Sequence, residues 1–152
     1  MVTAIFPVKG QPPHIGHILT IVSIYGDYDK IIVHVLEEPG KYYKEENFLI
    51  PSKEVVDIFK NIFQYMPKIE VIPTKFSLRD KTSFDDFPLF DVIVTGNKDF
   101  EKDMKIKKPF RYVPRSLIHG FDISGSLMRK LMRSKGNESA GNSIKKIIDP
   151  HN

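Results

Sequence analysis

The chain contains no cysteine. A disulfide framework and a cysteine-ligated metal centre are therefore excluded, and a reducing cytoplasm is the compartment expected for it. No apolar run approaches the length that crosses a bilayer. Met1 to Val8 has no positive region ahead of its apolar stretch and does not read as a signal peptide, so no membrane partner is expected. Strong charge of one sign is also lacking: 23 Lys and Arg stand against 19 Asp and Glu, a formal charge of +4. That mild excess suits an anionic ligand such as a nucleotide, weak nucleic-acid affinity or plain solubility, with solubility the default until a site argues otherwise. No internal repeat, low-complexity tract or dividing linker is present. A chain of 152 residues is then expected to form a single domain, 1–152, around one core.

What is present is an alternation of apolar strands and amphipathic helices. Val2 to Val8 reads as a buried strand, and Lys9-Gly10-Gln11-Pro12-Pro13 breaks it. Ile15, Ile18, Leu19, Val22 and Tyr25 recur at helical spacing, and Gly26 closes that segment. Lys30 to Leu36 is a second strand, and the polar run Glu37 to Asn47 a surface loop. Pro51-Ser52 opens a helix whose apolar face is Val55, Phe59, Ile62, Phe63 and Met66, ended by Pro67. Ile69 to Ile72 and Asp91 to Thr95 are further strands, and Arg111 to Val113 a fifth. Ser124 to Arg133 and Ser143 to Ile148 read as helices. Residues 73–90 carry aromatics and charges without a period. Strands alternating with helices predict an α/β fold: an open, mostly parallel sheet with helices on both faces, which binds ligands beyond the carboxyl ends of its strands.

The densest chemistry lies in Lys9-Gly10-Gln11-Pro12-Pro13-His14-Ile15-Gly16-His17, between a predicted strand and a predicted helix. A helix N-terminus carries unpaired N–H groups and the positive end of the dipole, and so attracts phosphate. His14 and His17, three apart, share one face of the first turn. Gly16 lets a ligand approach the backbone, and Lys9 adds a full positive charge. Two imidazoles so placed can donate to phosphate oxygens and favour the charge that builds up in phosphoryl chemistry. A zinc site is the competing ligand reading, but His34 and His119 are far off in sequence and supply no third ligand at useful spacing.

A second constellation, Ile123-Ser124-Gly125-Ser126-Leu127-Met128-Arg129, opens another predicted helix. Ser124 is an N-cap candidate, Gly125 and Ser126 keep the helix start open to an anion, and Ser126 and Arg129 face the same way. Arg129 and Arg133 form a like-charge pair that a bound polyphosphate would turn into attraction. A capped helix with a solvated basic face accounts for the same residues.

His14-Ile15-Gly16-His17 matches the HxGH signature of the nucleotidyltransferase superfamily, and it spells the HIGH signature of class I aminoacyl-tRNA synthetases, which share that core. The longer run from Gln11 to His17 resembles the GRFQPxHxGH motif of archaeal-type nicotinamide-nucleotide adenylyltransferases. Val8, Lys9 and Gly10 depart from it, standing where that family has glycine, arginine and phenylalanine. Lys9 keeps the arginine's charge without its planar fork. The Ser124 segment resembles the ISGTxxR motif, with Ser126 in place of threonine, and Asp91 to Asn97 resembles the strand-plus-SGN segment that precedes it.

The resemblance implies a cytoplasmic Rossmann-like nucleotidyltransferase that moves AMP from ATP to a phosphate-bearing acceptor and releases pyrophosphate. The foremost acceptor it implies is nicotinamide mononucleotide, giving NAD. His14, His17, Lys9 and Arg129 would be catalytic. Gln11, Pro12, Gly16, Gly96, Asn97, Ser124, Gly125 and Ser126 would bind the nucleotide. Mg²⁺ would be held by the phosphates and water, since that ion needs few protein ligands. Relatives commonly assemble, so a homo-oligomer is implied. Many relatives stack a tryptophan on the nicotinamide ring, and this chain has none; Phe84 or Phe87 could serve. Phosphopantetheine, a flavin mononucleotide, or a glycerol or sugar phosphate with a cytidylyl donor stay open as acceptors. So do a non-catalytic nucleotide-binding domain and a tRNA-synthetase fragment, although no KMSKS-like loop is visible.

Overall fold

The computed structural model describes residues 1–37, 48–75, 89–105, 107–114, 130 and 132–133. Five strands, β1 (Thr3–Val8), β2 (Lys30–Leu36), β3 (Ile69–Thr74), β4 (Val92–Thr95) and β5 (Phe110–Tyr112), form one parallel sheet of order β3-β2-β1-β4-β5. Helices α1 (Ile15–Ile24), α2 (Ser52–Ile62) and the short α3 (Asp99–Asp103) connect them. The chain runs outward from β1 through β2 to β3, then crosses back to β4 on the other side of β1. The carboxyl ends of β1 and β4 therefore flank the switch point of a doubly wound sheet, the expected Rossmann-like architecture.

Side-chain alternation divides the core into two layers. Ala4, Phe6 and Val8 of β1 and Ile31, Val33 and Val35 of β2 meet Ile21 and Ile24 of α1 and Val55, Val56 and Phe59 of α2. Ile5, Ile32 and Ile93 point the other way, onto Phe90, Phe100 of α3 and Met104. Helices thus cover both faces. Every residue of β2 from Ile31 to Leu36 is buried, as a strand flanked and covered on both sides requires.

Two inward faces differ from the sequence expectation. In α1 the buried set is Gly16, Thr20, Ile21 and Ile24, whereas Val22 is 48% exposed. Two small residues carry half of that face, and hydrophobic spacing does not register them. Thr20 loses little by burial because its hydroxyl donates to the Gly16 carbonyl at 2.9 Å. In α2 the buried stripe runs through Val55, Val56, Phe59 and Phe63, and Ile62 is 41% exposed. Val56 pulls the centre of the stripe away from Ile62, which falls on its flank. α3 was not expected at all: five residues with a single buried aromatic, Phe100, are too short to show a period. β3 extends to Thr74, beyond its expected end at Ile72.

The edge strand β5 is pinned across the sheet. Arg111 Nη1 lies 2.8 Å from Asp27 Oδ2 and 3.2 Å from Tyr28 Oη, and its guanidinium sits over the Tyr28 ring at 5.7 Å. The hydrogen bond to Tyr28, then that to Asp27, raises the Arg111 pKa further above its ordinary value. Arginine stays charged throughout, so no pH dependence follows. Both partners are substantially exposed, which limits the pair to about 1 kcal/mol or less. No helix among the described residues is long and apolar enough to cross a membrane.

Candidate active site

The β1–α1 loop is held by the core beneath it. Gly10 has φ +66°, and a Cβ there would lie 2.6 Å from Val55 Cγ1 and 3.2 Å from Phe59 Cε2. A side chain is thus excluded twice, by the left-handed backbone and by α2. Glycine at position 10 has a local reason: this loop presses directly on α2. The Gln11-Pro12 peptide is cis.

α1 begins with a reciprocal cap built from the two histidines. His14, extended at φ −145° and ψ 171°, is the N-cap. Its Nδ1 accepts the Gly16 N–H at 3.1 Å, and His17 Nδ1 accepts the His14 N–H at 3.2 Å. The arrangement is a capping box in which imidazole nitrogens replace the usual hydroxyl and carboxylate. An N-cap bond of this kind contributes about 1 kcal/mol. The rings stack, centroids 3.7 Å apart and 22° from coplanar, and His17 also meets Phe59 edge-on at 6.0 Å.

The cap decides the chemistry of both rings. A nitrogen that accepts a backbone N–H carries no proton, so the neutral imidazole of each histidine holds its proton on Nε2. Both rings stand at the positive end of the helix. His14 is 2% exposed, so its orientation is fixed before any ligand arrives. Lys9, at the end of β1, places Nζ 5.9 Å from the Phe48 ring centroid.

The structure brings Gly96 and Asn97 to the same edge of the sheet. β4 pairs with β1 at Ala4–Val92 and Ile5–Ile93; β1 then runs on through Phe6, Pro7 and Val8 beside β2. The carboxyl ends of β1 and β4 thus carry the Lys9–Pro13 loop and the turn at Gly96 on the same edge of the sheet. Asn97 is exposed, and its Oδ1 accepts the Asp99 N–H at 2.9 Å, while its own N–H donates to Thr95 Oγ1 at 3.1 Å. Its side chain thus shapes the entry to α3. Gln11, expected at the nucleotide, is 1% exposed and pairs with the Ile50 backbone. Pro12 is buried in the loop and Gly16 in the first turn of α1.

Ser124, Gly125, Ser126 and Arg129 lie outside the described residues, as do Phe84 and Phe87 and residues 38–47 of the expected surface loop. Of the predicted Ser124–Arg133 helix, Lys130, Met132 and Arg133 are described and helical. Sequence reasoning missed Phe59 and Ile50 as supports of the loop. Phe59 was legible as a core residue of α2, but nothing local links it to Gly10 or His17.

No family model and no curated protein matches this chain. Its fold is that of a crystal structure from Vibrio parahaemolyticus, a protein provisionally assigned as a nicotinate-nucleotide adenylyltransferase. The similarity covers 97% of this chain and 99% of that one, with a TM-score of 0.58 and 16% sequence identity. At that identity the likeness establishes the architecture.

Proposed function

We propose that this protein is a nucleotidyltransferase that transfers AMP from ATP to a phosphate-bearing acceptor. The observation that carries the reading is the reciprocal His14–His17 cap at the switch point, which fixes two imidazoles at the start of α1. The HxGH spacing and the fold shared with the V. parahaemolyticus protein support it.

An oxygen of the acceptor's phosphate attacks the α-phosphorus of ATP. The bond from that phosphorus to the oxygen bridging the α- and β-phosphates breaks, and pyrophosphate leaves with the electron pair. No protein nucleophile is needed, and catalysis is positioning plus charge stabilisation. Nε2–H of His14 and of His17 stabilises the phosphate oxygens as charge moves toward the leaving group. Lys9 neutralises phosphate charge. Ser124, Gly125, Ser126 and Arg129 hold the β- and γ-phosphates, and Gly96 and Asn97 lie by the nucleoside. The described site groups are donors and cations, which fit phosphate and not a divalent ion. Mg²⁺ would be held by the phosphates and water, where it supplies further charge neutralisation.

The acceptor proposed is nicotinamide mononucleotide, with NAD as product. The neighbour's name puts the nicotinate nucleotide beside it at the head of the panel. The test is pyrophosphate release from ATP and from CTP with Mg²⁺, across both pyridine nucleotides, phosphopantetheine, flavin mononucleotide and glycerol phosphate. ATP-dependent release with a pyridine nucleotide, reduced roughly 10²-fold in His17→Ala, is expected. Release with another acceptor would discard the named substrate and keep the reaction. Silence across the panel would defeat the enzyme reading.

A further inference from the structure

The segment that leads into α2 is fastened to the β1–α1 loop through side chains. Gln11 Nε2 donates to the Ile50 carbonyl at 2.8 Å, and Gln11 Oε1 accepts the Ile50 N–H at 2.8 Å. One primary amide thus pairs with both backbone groups of a residue distant in the chain, as a neighbouring peptide would. Two positions earlier on each segment, Lys9 Nζ approaches the Phe48 ring at 5.9 Å. Lys9 and Gln11 therefore run alongside Phe48 and Ile50. On the far side of Ile50, Val55 and Phe59 of α2 close against Gly10. The loop is held at Lys9, Gly10 and Gln11 in turn, and Gln11 is buried from solvent.

We propose that Gln11 is a positioning residue: its amide docks Phe48–Ile50 against the loop and so fixes Lys9 where a polyphosphate binds. This rests on the reading above to the extent that the ligand is a triphosphate. It replaces direct contact between Gln11 and the nucleotide, the role implied by the motif alone. A buried amide directed at a backbone peptide acts on the ligand through its neighbours. The mechanism also explains why a glutamine suits the position. The pairing needs a donor and an acceptor on one planar group, with enough reach to meet a second segment.

The full-length protein is used for the test. Amide hydrogen exchange at Ile50 is followed by NMR without ligand, with the sheet amides of Val33 and Ile93 as internal references. Binding of inorganic tripolyphosphate and of ATP with Mg²⁺ is measured by calorimetry. In Gln11→Ala, Ile50 exchange rises about 10-fold or more relative to the sheet amides, and tripolyphosphate binding weakens about 10-fold, the scale of one lost buried hydrogen bond.

Gln11→Glu keeps the acceptor for the Ile50 N–H but turns a carboxylate toward the Ile50 carbonyl. It behaves like Gln11→Ala at neutral pH. It recovers toward wild type, compared at each pH, as acid restores a donating O–H, and Gln11→Ala does not recover. Unchanged Ile50 exchange in Gln11→Ala overturns the proposal. So does rapid Ile50 exchange with undiminished tripolyphosphate binding, or a Gln11→Glu variant that acid fails to restore. Wild-type protein that binds tripolyphosphate yet releases no pyrophosphate with any acceptor defeats the nucleotidyltransferase reading and leaves the docking role standing. Wild-type protein that binds no tripolyphosphate defeats both.

Discussion

The two loops at the carboxyl ends of β1 and β4 are built differently. On the β1 side, Gly10 and Gln11 are buried, His14 is buried with its ring in a cap, and His17 leans on Phe59 from the core of α2. On the β4 side, Asn97 and Lys98 are exposed, Asn97 bonds to near neighbours in sequence, and Lys98 lies over the Tyr112 ring at 4.9 Å. The first loop is held by residues distant in the chain, Ile50, Val55 and Phe59. The second is shaped by its own short-range bonds. In the proposed reaction, donors fixed in advance on the β1 side would favour the stabilisation of a fleeting charge.

Substitutions should separate the two sides, from the largest effect to the smallest. Gly10→Ala forces a side chain into Val55 at a backbone angle that alanine disfavours. It should cost about 2–4 kcal/mol of stability, read by chemical denaturation, and displace Lys9 and His14 together. If denaturation instead shows less than about 1 kcal/mol lost, the loop yields, and the contrast with the β4 side disappears.

His17→Ala should lower turnover about 10²-fold, or about 2.7 kcal/mol on the barrier. It also removes the reciprocal half of the cap, with a stability loss near 1 kcal/mol. His17→Gln separates the two contributions, because its amide can accept the His14 N–H without supplying an imidazole donor. A His17→Gln enzyme as active as wild type would reduce His17 to a cap.

Asn97→Ala should cost about 1 kcal/mol through the entry to α3, with a change in the Michaelis constant for ATP larger than any change in kcat. An equal fall in kcat would place Asn97 among the groups that act in the transition state. Lys98→Met should be nearly silent in stability, about 0.5 kcal/mol or less, since an exposed cation over a ring contributes little. A large loss of ATP affinity there would show that the β4 side also supplies fixed charge.

Much of the fold was legible in the sequence because its signals are local. Apolar β-branched runs marked β1, β2 and β4, and the strand–helix alternation implied a parallel sheet. The strand–loop–helix junction at the HxGH run was legible because a strand, a glycine break and a helix start lie within a few residues. The inward face of α1 was misplaced because Gly16 and Thr20 pack by being small, and smallness carries no hydrophobic signal. α3 escaped because one buried phenylalanine in five residues makes no pattern. The role of Gln11 escaped because its partner, Ile50, is far along the chain and contributes backbone, which any residue offers.

The sequence by itself determined which segments become strands and helices, and that two histidines and a lysine cluster at one strand–helix junction. These follow from propensities and spacings over a turn or two of chain. Tertiary structure decided that Gly96 faces that junction across the switch point, that Phe59 and Val55 leave room for nothing but hydrogen at Gly10, and that the Gln11 amide reads the Ile50 backbone. Those contacts join residues brought together when the sheet and helices pack, and no local preference encodes which of them will meet.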